Sequence, residues 1–111
     1  MEITNEYIQQ QLQKAKQYCV FVFKAGPTRN QPDAEQIQWE HIRYLFRLRE
    51  EGRLLITCAV MGKAETMCIG VLNTTNLEEA QSILDEDPNV KAGRLNYETH
   101  ICMGFPGDEL N

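Results

Sequence analysis

No apolar run in this sequence approaches the roughly 20 residues that a membrane-spanning helix needs. No block of basic residues interrupts a formal net charge of −5. Nucleic acid and anionic membrane both select a concentrated positive surface, so neither is an expected partner. The chain has no Gly-rich phosphate loop, no dinucleotide fingerprint, no internal repeat and no low-complexity linker. The start, MEITNEYIQQ, is polar and acidic, unlike a signal peptide, and a cytoplasmic location is expected. None of the four cysteines, at 19, 58, 68 and 102, forms a CxxC pair, and the two histidines, His41 and His100, lie far apart. That spacing argues against a zinc site and for reduced thiols buried in strands. Neither a metal nor an organic cofactor is expected.

What remains is ordinary for a small globular protein: 111 residues, 42% hydrophobic and 24% charged. That length fits one domain able to bury its own core. Residues 3–16 read as a polar helix capped by Thr4 or Asn5, with a thin stripe of Ile3, Tyr7, Ile8, Leu12 and Ala15. YCVFVFKAG (18–26) is β-branched and aromatic and stops at Gly26-Pro27, a strand signature. Asp33 is placed to cap a helix from about Ala34 to Glu51, with Gln36 in the capping-box position and Gly52 as terminator. Ala34, Ile37, His41, Tyr44, Leu45 and Leu48 share one face of that helix. Trp39, Ile42 and Phe46 form a second apolar patch. Strands are expected at 53–62 and 66–74 around a tight GKAE hairpin. A short helix, capped by Thr75 or Asn76, then a single turn NVKAG and a last strand, 94–105, complete the chain.

The order is βαββαβ, the α+β ferredoxin-like pattern, preceded by an extra helix. It divides the chain into an N-terminal extension (1–17), a ferredoxin-like domain (18–105) and a polar tail (106–111). Both helices should cover one face of a four-stranded antiparallel sheet. The other face, carrying Val, Phe, Ile and Met, needs a cover. A second copy of the sheet is the simplest cover, so a homodimer enclosing a barrel-like interior is expected. The Trp39 patch hints at a further assembly of dimers.

His41 is the only ionisable side chain in the apolar stripe of the long helix. A histidine there needs a hydrogen-bond partner. It is either a core histidine bonded to a backbone carbonyl or a functional base. Asp87 stands before Pro88, a capping arrangement for the turn NVKA. Asp85 and Glu86 beside it, at the unfavourable end of the preceding helix dipole, read as solvated charge.

The segments HIRYLFRLREEGRLL (41–55) and LEEAQSILDEDPNVKAG (77–93) resemble the YCII-related (YciI-like) family. The shared features are His41, the junction Glu51-Gly52-Arg53-Leu54-Leu55, and Glu79-Ala80 followed by Asp87-Pro88; the resemblance spans residues 18–105. It implies a dimeric α/β barrel of ferredoxin-like subunits with a catalytic His–Asp dyad, here His41 and Asp87. One branch of the family is a dehydrochlorinase of chlorinated hydroxyquinols, and related barrels host lactone isomerases and cofactor-free monooxygenases. The sequence departs from the pattern at Cys58-Ala59, where many members have Gly-Pro, and in its extra N-terminal helix.

In such a dyad the carboxylate fixes the imidazole tautomer, and the free nitrogen can remove a proton. The implied reaction on a small organic molecule is elimination of the lyase or dehydrohalogenase type, or isomerisation, without a cofactor. Cys58 and Ala59 are candidate ligand-binding residues if their strand end lines the pocket. Glu98 and His100, which share a strand face with Asn96, are candidates if that face is interior. Arg53 and Arg94 flank strand starts and are expected to be solvated. The alternative function is a non-catalytic module of the same fold that binds a small ligand or serves in assembly.

Overall fold

Aromatic and β-branched side chains are concentrated in the segment that becomes the central strand. In a computed structural model, which describes every residue except Asp33 and Lys63, that strand is β1 (Lys16–Ala25). It is preceded by α1 (Asn5–Leu12) and followed by α2 (Glu35–Glu50), β2 (Leu54–Ala59), β3 (Thr66–Leu72), α3 (Leu77–Asp85), α4 (Pro88–Lys91) and β4 (Leu95–Gly104). The cap expected from Asp33 and the Lys63 part of the GKAE connection lie outside the described residues. The four strands form one antiparallel sheet in the order β2-β3-β1-β4, compatible with a ferredoxin-like fold.

Strand alternation divides β1 into two sides. Cys19, Phe21 and Phe23 are completely buried, whereas Val20 and Val22 are only partly so. The buried set packs with Leu48 of α2 and with Ala80, Ile83 and Leu84 of α3, so these helices share one face of the sheet. Register carries this division across the sheet. Phe23 lies opposite Tyr97 and Phe21 opposite Thr99, while Val22 lies opposite Glu98 and Val20 opposite His100. The second face therefore carries Val20, Val22, Glu98 and His100, joined by Ile69 and Val71 from β3. None of the described helices covers it.

Local chemistry explains where the elements stop. Thr4 caps α1 by accepting the Tyr7 N–H at 3.1 Å. The helix ends at Leu12, short of the expected residue 16, because Lys16 already pairs with Gly104 in the sheet. Gly52, at φ +74°, ends α2. Its N–H donates to Arg49 C=O, and the Arg53 N–H donates to Leu48 C=O, the two bonds of a Schellman motif. Asn76 caps α3 through the Glu79 N–H. Glu79 does not reach back to the Asn76 N–H, as the acid of a capping box would. Thr74 accepts the Asn76 N–H and donates its hydroxyl to Glu79.

On α2 the expected inner face is occupied as read: His41 and Leu48 are buried, and Tyr44 and Leu45 pack on the core. Trp39 and Phe46 remain 58% and 56% exposed, and Ile42, between them on the helix, is partly buried. Truncating Leu84 to Ala leaves a cavity among completely buried neighbours and should cost roughly 2–5 kcal/mol. Trp39→Ala, on the exposed side of α2, should stay within about 0.5 kcal/mol. Urea unfolding of both variants tests this division of the helices.

Candidate active site

Asp87 sits where α3 ends and α4 begins, and it is completely buried. Pro88 at the first helical position fixes the backbone for a turn. Asp87 Oδ1 accepts the Asn89 N–H at 2.8 Å, so the expected cap is present. Oδ2 lies 2.6 Å from Nδ1 of His41, two turns into α2. The two readings of Asp87 therefore coexist, one on each oxygen. The core-histidine reading of His41, with a backbone carbonyl as partner, is replaced by a carboxylate partner.

A carboxylate offers only acceptors, so Nδ1 of His41 carries the proton and Nε2 presents its lone pair. Nε2 has no hydrogen-bond partner among the described residues. The imidazole meets Phe23 edge-on, with ring centroids 5.8 Å apart, which together with the carboxylate limits its rotation. His41 lines a cavity of about 330 Å³ between α2, the sheet and the loop after β1. That volume suits a single small ring. Ile42, Leu45, Val60, Met67 and Leu95 supply its apolar wall, and Thr57, Cys68, Gln38, Asn89 and Arg29 its polar groups. A larger hollow of about 470 Å³ lies between Lys16, Tyr18 and the C-terminal tail, but no histidine lines it.

The other candidates separate. Ala59 lines the cavity beside Thr57, so the intervening Cys58 points to the opposite face of the sheet. Cys58 is exposed rather than buried, because β2 is an edge strand and no described helix covers that face. Glu98 and His100 are also on that face, away from His41; Glu98 pairs with Lys24 at 2.7 Å and lies 3.8 Å from His100. The hydrogen bond from Lys24 holds the Glu98 carboxyl below its usual range. Cys68 faces the cavity, but burial pushes its thiol pKa up, and its sulfur lies 3.2 Å from the Thr57 hydroxyl. It is a packing and hydrogen-bonding group rather than a nucleophile. The expected thiol burial holds for Cys19 and Cys68, whereas Cys102 is intermediate.

Three further residues were not legible as site residues. Asn89 bonds Gln38 through its amide and accepts from Arg94 through its oxygen. Arg94, expected in solvent, is only 7% exposed. Gln38 lies three residues before His41, and a search of that helix face for polar as well as apolar residues would have found it. The acids beside Asp87 also have partners: Asp85 accepts the Tyr97 hydroxyl at 2.7 Å, and Glu86 pairs with Lys91 at 2.9 Å. Burial and the adjacent Asp85 push the Tyr97 phenol pKa up to about 12.

The chain matches no known family model, and no curated protein matches it. Among solved structures it is similar to the 5-chloro-2-hydroxyhydroquinone dehydrochlorinase of Burkholderia phenoliruptrix AC1100, determined in complex with 2,5-dihydroxybenzoquinone. The TM-score is 0.51 at 16% sequence identity, covering 74% of this chain and 90% of that one. At that identity the likeness bears on the fold alone.

Replacing Asp87 with Ala removes both the cap and the acceptor for Nδ1, and should cost roughly 2–4 kcal/mol. Asp87→Asn should retain most of that stability, because its side-chain oxygen still accepts the Asn89 N–H. Its NH2 then faces Nδ1 and forces the proton to Nε2. Imidazole ¹⁵N shifts should show that exchange of tautomer in His41 and no change in His100.

Proposed function

We propose that the chain is a cofactor-free small-molecule enzyme in which His41 is the general base and Asp87 its positioning carboxylate. The observation that carries this reading is the 2.6 Å contact between a buried carboxylate and an imidazole that lines a cavity and whose other nitrogen has no partner among the described residues. The resemblance to the YCII-related family, noted from the sequence, supports it. So does the fold likeness to a dehydrochlorinase.

The step itself is proton abstraction. A substrate C–H or O–H placed within hydrogen-bond reach of Nε2 gives up its proton to that nitrogen. The imidazolium so formed is stabilised by Asp87 at Nδ1. The electron pair left on the substrate can expel a leaving group such as chloride from an adjacent carbon, which is elimination. It can instead be reprotonated elsewhere, which is isomerisation. Both use only the two side chains and the substrate. Base catalysis of this kind contributes about 10²–10⁴ in rate.

A panel of chlorinated hydroxyquinols, lactones and enolisable ketones tests the reading. His41→Gln should lower kcat on a turned-over substrate by about 10²–10⁴. Asp87→Asn should lower it nearly as far through the wrong tautomer, leaving KM within a few-fold. Unchanged kcat in both folded variants overturns the enzyme reading and leaves a small-ligand-binding module of the same fold.

The working form in this proposal is a homodimer with the uncovered sheet faces packed together. Val20, Val22, Ile56, Ile69 and Val71 give that face an apolar centre, with Lys24, Glu98 and His100 towards one side. Exposed Trp39 and Phe46 on α2 would serve any assembly beyond the dimer. The four free thiols support a reducing, cytoplasmic setting, and no described helix is long and apolar enough to cross a membrane. Sedimentation equilibrium should give twice the chain's 12.8 kDa. Ile69→Glu, placing an unpaired charge in the middle of the interface, should return the mass of one chain.

A further inference from the structure

The wall of the cavity beyond His41 includes an arginine, Arg29, and no described carboxylate. Arg29 lines the cavity and also the adjoining open hollow, so it stands where the two meet. Among the described residues Arg29 forms no ion pair, and no carboxylate lines the cavity. Arg94 lies behind that wall. Its Nη1 donates to Asn89 and, at 3.4 Å, to Gln38, both of which line the cavity. Its Nε is buried with no partner. These acceptors are neutral amides, so Arg94 makes no ion pair among the described residues.

The backbone brings the two arginines together by construction. Gly26 donates to Arg94 C=O at 2.8 Å and Thr28 to Gly93 C=O at 3.1 Å; the Thr28 hydroxyl donates to Ala92 C=O at 2.7 Å. A Cβ at position 26 would collide with the Gly93 carbonyl, so the approach requires glycine there. Arg29 follows directly from this clasp. Burial, and then repulsion from Arg29, lower the Arg94 pKa, as expected of a buried cation held near a like charge. In a chain of net charge −5, a cavity lined by one arginine, backed by another and free of lining carboxylates among the described residues favours an anion at that wall.

We infer that Arg29, with Arg94 behind it, forms an anion subsite of the His41 cavity, and that the substrate class is a small ring bearing a phenolate or carboxylate oxygen. The charged oxygen sits at Arg29 and the ring lies along Ile42, Leu45 and Met67. The inference rests on reading this cavity as the reaction site. The subsite gives that reading an orientation, because an anion held at Arg29 turns the rest of the ring towards His41 Nε2.

The test uses the full chain, with benzoate as the anionic probe and benzamide as its neutral counterpart, each titrated by NMR. Benzoate should perturb the His41 ring and the Arg29 Nε–H signals and bind at least about tenfold more tightly than benzamide. Arg29→Gln should remove that preference while the His41 tautomer stays as in the wild type, which establishes that the dyad is intact. Arg29→Lys should restore part of the preference. Equal affinity for the two probes, no benzoate binding, or a preference that survives Arg29→Gln each overturns the anion subsite. The two readings fail separately. Benzoate selectivity in a protein that turns nothing over leaves the subsite and removes the base. Turnover of a neutral substrate without benzoate selectivity does the reverse.

Discussion

The completely buried carboxylate of Asp87 is the constraint on which the rest of the site depends. A carboxylate out of water is costly unless its lone pairs are engaged, and here each oxygen has a donor. One donor is the backbone of the turn that Asp87 begins, and the other is a ring nitrogen from a helix 46 residues earlier in the sequence. A single side chain thus fixes the start of α4, the approach of α2 to α4, and the rotamer and tautomer of His41. The structural and chemical roles are not competitors, because a carboxylate has two oxygens and the geometry sends them in different directions.

Around that centre the polar groups form a graded series. Asp87 holds His41, Asn89 follows Asp87 in the same turn, Asn89 and Gln38 bond each other, and Arg94 bonds both. The apolar members of the cavity come from α2 and the sheet; its polar members come from those same elements, as Gln38, His41, Thr57 and Cys68, and from two turns, as Asn89 of α4 and Arg29 of the loop after β1. Elements packed by a hydrophobic face set the shape, and turns satisfied by their own bonds complete the polar lining. Such turns can hold functional groups only because their backbone bonds are themselves complete, as in the clasp between residues 26–28 and 92–94.

Much of the fold was readable from periodicity. The alternation of the last strand correctly placed Asn96, Glu98 and His100 on one face. The three-and-four spacing of α2 placed His41 and Leu48 inward. Boundaries shifted by one or two residues in most elements, where sheet pairing rather than propensity set the end. The site was half legible. His41 and Asp87 carried local signals, an ionisable residue in an apolar stripe and an acid before proline. Arg94 carried none, because a charge at a strand start is ordinarily solvated. Its burial follows from the neighbouring turn folding over it. Cys58 was grouped with Ala59 as a neighbour in sequence, but one step along a strand reverses the face.

By itself the sequence determined what local interactions decide: the helices and strands, the caps of α1, α3 and α4, the Gly52 stop, and which side of each element is apolar. Those follow from backbone sterics and from the separation of apolar from polar side chains along one segment. Only the tertiary structure decided that Asp87 meets His41, that Arg29 stands near Arg94, and that Cys58, Glu98 and His100 lie on the far side of the sheet from the cavity. Those are contacts between residues distant in the chain. They are fixed by how helices pack on a sheet of given register, and no local pattern encodes that packing.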